Sequence, residues 1–158
     1  MSDPDAAAEY WQRAFQAQMS GDLTAAIELY RRSIAACPTA EAHTFLGWTY
    51  SFQGRLEDAI EECQKAIAVD PSFGNPYNDI GAYLIEMGRL DDAIPWLERA
   101  TRATRYASPE FPRLNLARVY VAKEMYNRAI EEFKSALELE PEYEAAQKVL
   151  DSLRRKLN

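Results

Sequence analysis

Apolar residues along this chain recur every three or four positions, and the pattern restarts at a fixed interval. In LEDAIEECQKAIAV, residues 56–69, the apolar positions are Leu56, Ala59, Ile60, Cys63, Ala66, Ile67 and Val69. They form one stripe at helical spacing, with the charges opposite. Upstream lies a second helical run, AEAHTFLGWTYSFQ, and the next unit has its counterpart in PYNDIGAYLIEM. Gly or Pro punctuates the ends of these runs. The pattern predicts helix, short turn, helix, several times over, and no segment reads as a strand. At the start, Ser2 or Asp3 can cap a helix, Pro4 suits its first turn and Asp5 favours its positive end. At the other end, Tyr143, Ala146, Leu150, Leu153 and Leu157 form a last apolar stripe two heptads long.

The units align on their small residues. Ala26, Ala59, Ala93 and Ala129 are 33, 34 and 36 residues apart. Four residues after each comes Tyr30, Cys63, Leu97 or Phe133, and three further on Ser33, Ala66, Ala100 or Ala136. Pro38, Pro71 and Pro141 close three units. Gly21, Gly54 and Gly88 stand before the runs, whereas the fourth unit has Glu124 there, so Asn127 is the expected turn residue. Ala14, Gly47, Gly81 and Ala117 fall on the first helices where a second helix must come close, since a larger side chain would overpack the contact. The third unit departs from the pattern: it lacks the closing Pro, and ATRYASPEFP predicts a longer turn with Ser108-Pro109 opening the next helix.

A period near 34 with these residues at these offsets resembles the tetratricopeptide repeat (TPR). The second unit carries Leu46, Gly47, Tyr50, Ala59, Ala66 and Pro71; the third Tyr77, Ile80, Gly81, Leu84, Ala93, Leu97 and Ala100. The fourth carries Leu116, Ala117, Tyr120, Ala129, Phe133, Ala136 and Pro141, and the first Tyr10, Ala14, Ala17, Ala26, Tyr30 and Pro38. The resemblance implies an all-α, right-handed superhelical solenoid of four TPR-like helix-turn-helix repeats (about 7–39, 40–73, 74–109 and 110–143), with residues 144–158 as a C-terminal capping helix. No such unit buries its apolar face alone, so stacking must supply the stability.

The resemblance also implies that the first helices line a concave face. Their free positions differ from unit to unit, unlike the packing positions. Trp11, Phe15, Thr44, Trp48 and Phe52 make the N-terminal part of that face aromatic. Asn78, Ile85, Leu114, Asn115 and Arg118 continue it, and Asn75 adds to a more polar C-terminal half. Large aromatics are typical anchors of binding. The expected function is therefore a non-enzymatic adaptor that holds a peptide or helix with apolar anchors. The alternative is a self-assembling scaffold, a homo-oligomer in which a neighbouring copy fills the groove. One branch of the family grips C-terminal carboxylates through basic residues; here the matching slots hold Trp11, Phe15, Asn75 and Asp79, so that activity is not carried over.

Composition narrows the classes without adding chemistry. Hydrophobic residues make up 47% of 158 and charged residues 27%, the balance of a folded domain rather than a disordered tail. A net charge of -7 argues against general nucleic-acid binding, although Arg99, Arg102, Arg105, Arg113 and Arg118 form a local basic stretch. No run approaches a membrane span, and the N-terminus lacks the features of a secretory signal, so no membrane insertion is expected. Cys37 and Cys63 have no metal-ligand spacing and read as packed, reduced thiols consistent with a cytoplasmic setting. His43 is the only histidine. Without a nucleophile motif, a phosphate loop or a metal motif, no catalytic, cofactor or metal site is expected. The acid pairs Glu61-Glu62 and Glu131-Glu132 recur at matching places and read as a solvated outer face.

Overall fold

The computed structural model describes all residues from Met1 to Asn158. Nine helices follow one another: α1 Pro4–Met19, α2 Leu23–Ala36, α3 Ala40–Phe52, α4 Leu56–Val69, α5 Asn75–Glu86, α6 Leu90–Thr101, α7 Glu110–Ala122, α8 Tyr126–Leu139 and α9 Glu144–Leu157. The only β-type pairing is an isolated bridge between Phe73 and Arg105. Helices pack as consecutive pairs, α1 with α2 through α7 with α8, and each pair rests on the next. The product is the all-α solenoid, with α9 laid on α8 through Ala146, Leu150 and Leu153.

Local chemistry sets the helix ends. Asp3, Asp22 and Thr39 cap α1, α2 and α3 by accepting from the backbone N–H three residues on, at 3.0, 3.1 and 3.1 Å. Inside the pairs one closure recurs. The N–H of Asp22, Arg55, Arg89 and Met125 donates to the carbonyl five residues back, at 2.9, 3.0, 2.9 and 2.8 Å. The residue before each donor has positive φ: Gly21, Gly54, Gly88 and, in the fourth pair, Glu124 at 58°. The sequence expectation of an Asn127 turn is corrected here, because Asn127 lies inside α8. The backbone bonds of the closure define the turn, and a non-glycine residue enters it at a cost of roughly 1–2 kcal/mol.

The recurring small residues sit where helices touch. Ala26, Ala59, Ala93 and Ala129 are all fully buried, as are Tyr30, Cys63 and Leu97. A Cβ on Gly47 would stand 2.9 Å from the Ala59 carbonyl oxygen, and one on Gly81 would stand 2.3 Å from Leu97 Cδ2. The outer face departs from expectation. Glu61 and Glu131 are exposed, but Glu62 is buried, 2.8 Å from His43 Nδ1 and 3.0 Å from Lys65 Nζ. Burial raises the Glu62 carboxyl, yet the bonds to His43 and Lys65 outweigh it and leave the group below its ordinary value. Glu132 likewise turns inward, to Arg113 at 3.1 Å. One member of each acid pair faces water and the other ties a second helix to its first. Pro95 lies well inside α6, which continues through it.

Candidate functional site in the groove of the odd-numbered helices

Trp11 and Phe15 are one turn apart on α1, and their rings stack in parallel at 5.5 Å. Phe45 of α3 meets both edge-on, at 5.1 and 5.9 Å, and touches Trp48 at 5.8 Å. Trp48 in turn meets Phe52 at 5.0 Å. Four of the residues expected in the groove thus join one continuous line of rings, and its hub is a residue not expected there. Phe45 stands three residues before Trp48 and seven before Phe52, so helical spacing carried the signal. The line is half-buried up to Trp48, while Phe52 is exposed. The aromatics are therefore packing and surface at once.

Next along the groove lies a cavity of about 290 Å³ between α3, α5 and the start of α7. Trp48, Phe45, Tyr106 and Phe111 supply its rings, and Asn75, Asn78 and Asp79 its polar groups. Thr44 also lines it, but its hydroxyl donates to Ala40 O at 2.7 Å and the residue is buried. The longer turn seen in the sequence builds one wall. Arg105 donates its N–H to Ser72 O and accepts from the Gly74 N–H, both at 3.0 Å. Its guanidinium reaches Asp70 and Glu41, each at 2.7 Å, over the Phe73 ring. Hydrogen bonds from Ser72 and Arg105 hold the Asp70 carboxyl down to about 2. Pinned this way, the linker lays Tyr106 on Gly74 so closely that a Cβ there would stand 2.3 Å from the ring.

Asp79 has a different setting. It is partly covered, and burial pushes its carboxyl up to about 7. The ionisable groups that feel its charge are Cys63 of α4, Tyr83 of α5 and Tyr106 of the linker. Burial raises all three, so they are neutral at pH 7.

Asn78, Asn115 and Arg118 are brought together as expected. Asn115 Nδ2 donates to Asn78 Oδ1 at 2.9 Å, and Arg118 Nη1 donates to Asn115 Oδ1 at 2.9 Å. Asn78 itself is buried, so it serves the groove as a floor. The polar C-terminal half expected from sequence stops there. Beyond it lies an apolar trough of about 500 Å³, where Ile85, Leu114 and Val121 line one part and Tyr143, just before α9, and Val149 of α9 another. Val149 was missed because it follows the final repeat, and in the sequence Tyr143 reads only as part of the last apolar stripe. The arginine stretch does not gather into one patch. Arg105 and Arg113 are paired as above, and Arg118 bonds to Asn115. Arg99 lies over Tyr77 and Trp96, and with Arg102 lines a separate open hollow.

Two tetratricopeptide repeat family models match the chain, one over residues 40–73 and the other over 75–105 and 113–143. Together they take in more than half of it, and the chain belongs to the tetratricopeptide repeat family. It is 32% identical over 80 residues to small glutamine-rich tetratricopeptide repeat-containing protein 2 of Mycosarcoma maydis, covering 50% of this chain and 23% of that protein. The chain spans less than a quarter of the length of the curated relatives it matches. Among solved structures, Pseudomonas aeruginosa pilF superposes with a TM-score of 0.89 at 25% identity, over 96% of this chain and 69% of that one. The first TPR of Spaghetti (RPAP3), bound to the HSP90 peptide SRMEEVD, superposes at 0.68 with 19% identity, over 75% and 93%. No helix is long and apolar enough to cross a membrane.

Proposed function

We propose that the chain is a non-enzymatic adaptor whose groove holds an extended peptide or a helix of a protein partner by apolar anchors. The observation behind this reading is the line of rings from Trp11 through Phe45 and Trp48 to Phe52. It stays part-exposed along one side of the fold, whereas Tyr30, Tyr50, Tyr77, Tyr83 and Tyr120 are buried. The Spaghetti domain binds a peptide on the same scaffold, which is consistent with groove binding. The proposed contact residues are Trp11, Phe15, Trp48, Phe52, Ile85, Leu114 and Arg118, with Thr44, Asn78 and Asn115 supporting them from below.

The test is selection of peptides from a random displayed library, followed by fluorescence polarisation. Phe52→Ala lowers the affinity of the selected peptides and leaves melting unchanged, because that ring is 57% exposed. The outer-face variant Glu61→Ala changes neither. Peptides indifferent to Phe52→Ala and Trp48→Ala but lost with Glu61→Ala would move the site to the outer face. A second reading, self-assembly, draws support from the C-terminal end, where Tyr143 and Val149 stay exposed at the apolar trough and Leu157 is exposed at the end of α9. Sedimentation at micromolar concentration decides it: a monomer that remains a monomer argues against it.

A further inference from the structure

The central cavity holds a carboxylate without a cation. The arginines of the neighbouring segments are committed elsewhere: Arg105 to Asp70 and Glu41, Arg113 to Glu132 and Arg118 to Asn115. Around Asp79 stand the rings of Phe45, Trp48, Tyr106 and Phe111, with the Asn75 side chain beside it. A ring face attracts a cation, and more strongly where water is thinned out. The enclosure, about 290 Å³, is at the lower limit for a small-molecule pocket and suits one side chain. The walls are specific to this place in the fold, because the Tyr106 wall depends on the pinned turn between α6 and α7.

We propose that this cavity receives one basic side chain, Arg or Lys, from the peptide in the groove, with Asp79 as its counter-ion and the surrounding rings as its cage. This inference rests on the groove reading and gives the partner a chemistry: apolar anchors on either side of a cation. A bound acidic side chain would meet Asp79 at close range in a partly desolvated site, so the cavity excludes Asp and Glu side chains. The net charge of -7 draws the same basic partner from a distance. Burial has already raised the Asp79 carboxyl to about 7, so a bound cation favours its ionised form and expels a proton. The ionisable groups that feel the Asp79 charge, namely Cys63, Tyr83 and Tyr106, carry no charge at neutral pH and cannot mimic this. His43 on α3 turns away, to Glu62 of α4.

The experiment is a nitrogen-15 NMR titration of the full chain with three probes: N-acetyl-arginine methylamide, its neutral citrulline counterpart and N-acetyl-tryptophan amide. The Trp48 indole and the Asn75 side-chain amide report on the cavity. The arginine probe binds about tenfold more tightly than the citrulline probe, an advantage of about 1.4 kcal/mol. That advantage grows as pH rises from about 6 to about 8, through the Asp79 titration, and disappears in Asp79→Asn. In Asp79→Lys the preference for a cation reverses. Equal binding of arginine and citrulline, or an advantage that survives Asp79→Asn, overturns the cation site. If the tryptophan probe still shifts the Trp48 indole in that case, the groove reading stands alone. If none of the three probes perturbs the groove, both readings fall.

Discussion

The two neighbouring parts of the groove are built in opposite ways. The aromatic end is regular: Trp11 and Phe15 on α1, and Phe45, Trp48 and Phe52 on α3, meet because helical spacing puts them on facing stripes. Nothing outside the first two helix pairs is needed. The central cavity is irregular. One wall comes from a turn that crosses back from the third pair, held by Arg105, and its only charge is an acid that the fold leaves unpaired. The regular end gives area and little selectivity, whereas the irregular part gives charge discrimination at some expense in stability. A solenoid can vary the second without disturbing the first, because each pair contacts only its neighbours.

The most severe test strikes the residue the two regions share. Trp48→Ala should cost about 2–4 kcal/mol of peptide binding, on the order of 30- to 700-fold, as for a central anchor. It should also lower the melting temperature, because Trp48 packs on Phe45 and Phe52. Comparison with the exposed Phe52→Ala separates the two effects. An unchanged affinity in Trp48→Ala would detach both regions from binding.

Gly74→Ala should break the irregular part alone. Its Cβ would collide with Tyr106, so the linker must move, at about 1–3 kcal/mol. Limited proteolysis should then cut within residues 102–109 while the ring stack around Trp11 stays intact by near-UV circular dichroism. If that linker remains protected, the pinned wall is misassigned.

Asp79→Asn should stabilise the protein, and the gain should depend on pH. The folded chain keeps this proton up to about pH 7, whereas the ordinary value is 3.8. Between those values the folded state binds more protons than the unfolded one, so the native protein loses stability as pH rises. The variant escapes that loss. Its advantage should be negligible near pH 4 and reach about 2 kcal/mol above pH 7, the cavity's contact with solvent trimming the full shift. Urea melts across that range measure it, and a pH-independent difference would place Asp79 in a wetter site. The smallest effect serves as a control outside both regions. Glu124→Gly should add about 0.5–1 kcal/mol by relieving a left-handed residue, with peptide binding unaltered.

The sequence by itself determined the helices, their pairing and the family, because each depends on local periodicity and on small residues at fixed offsets. It also marked most of the aromatic line, since residues one turn apart on a helix share a face. Phe45 was legible by the same rule. What the tertiary structure decided was everything that depends on elements far apart in the chain. Glu62 and Glu132 look like their exposed neighbours Glu61 and Glu131, and only the position of the partner helix turns them inward to His43 and Arg113. The turn around Arg105 read as a longer connection, but its folding back onto Ser72 and Gly74 needed the third pair stacked on the second. Asp79 followed from that stacking in turn. A carboxylate on a helix has no fixed solvation of its own, and only the rings packed around it from α3, the linker and α7 determine how reluctantly it ionises and what it is fit to bind.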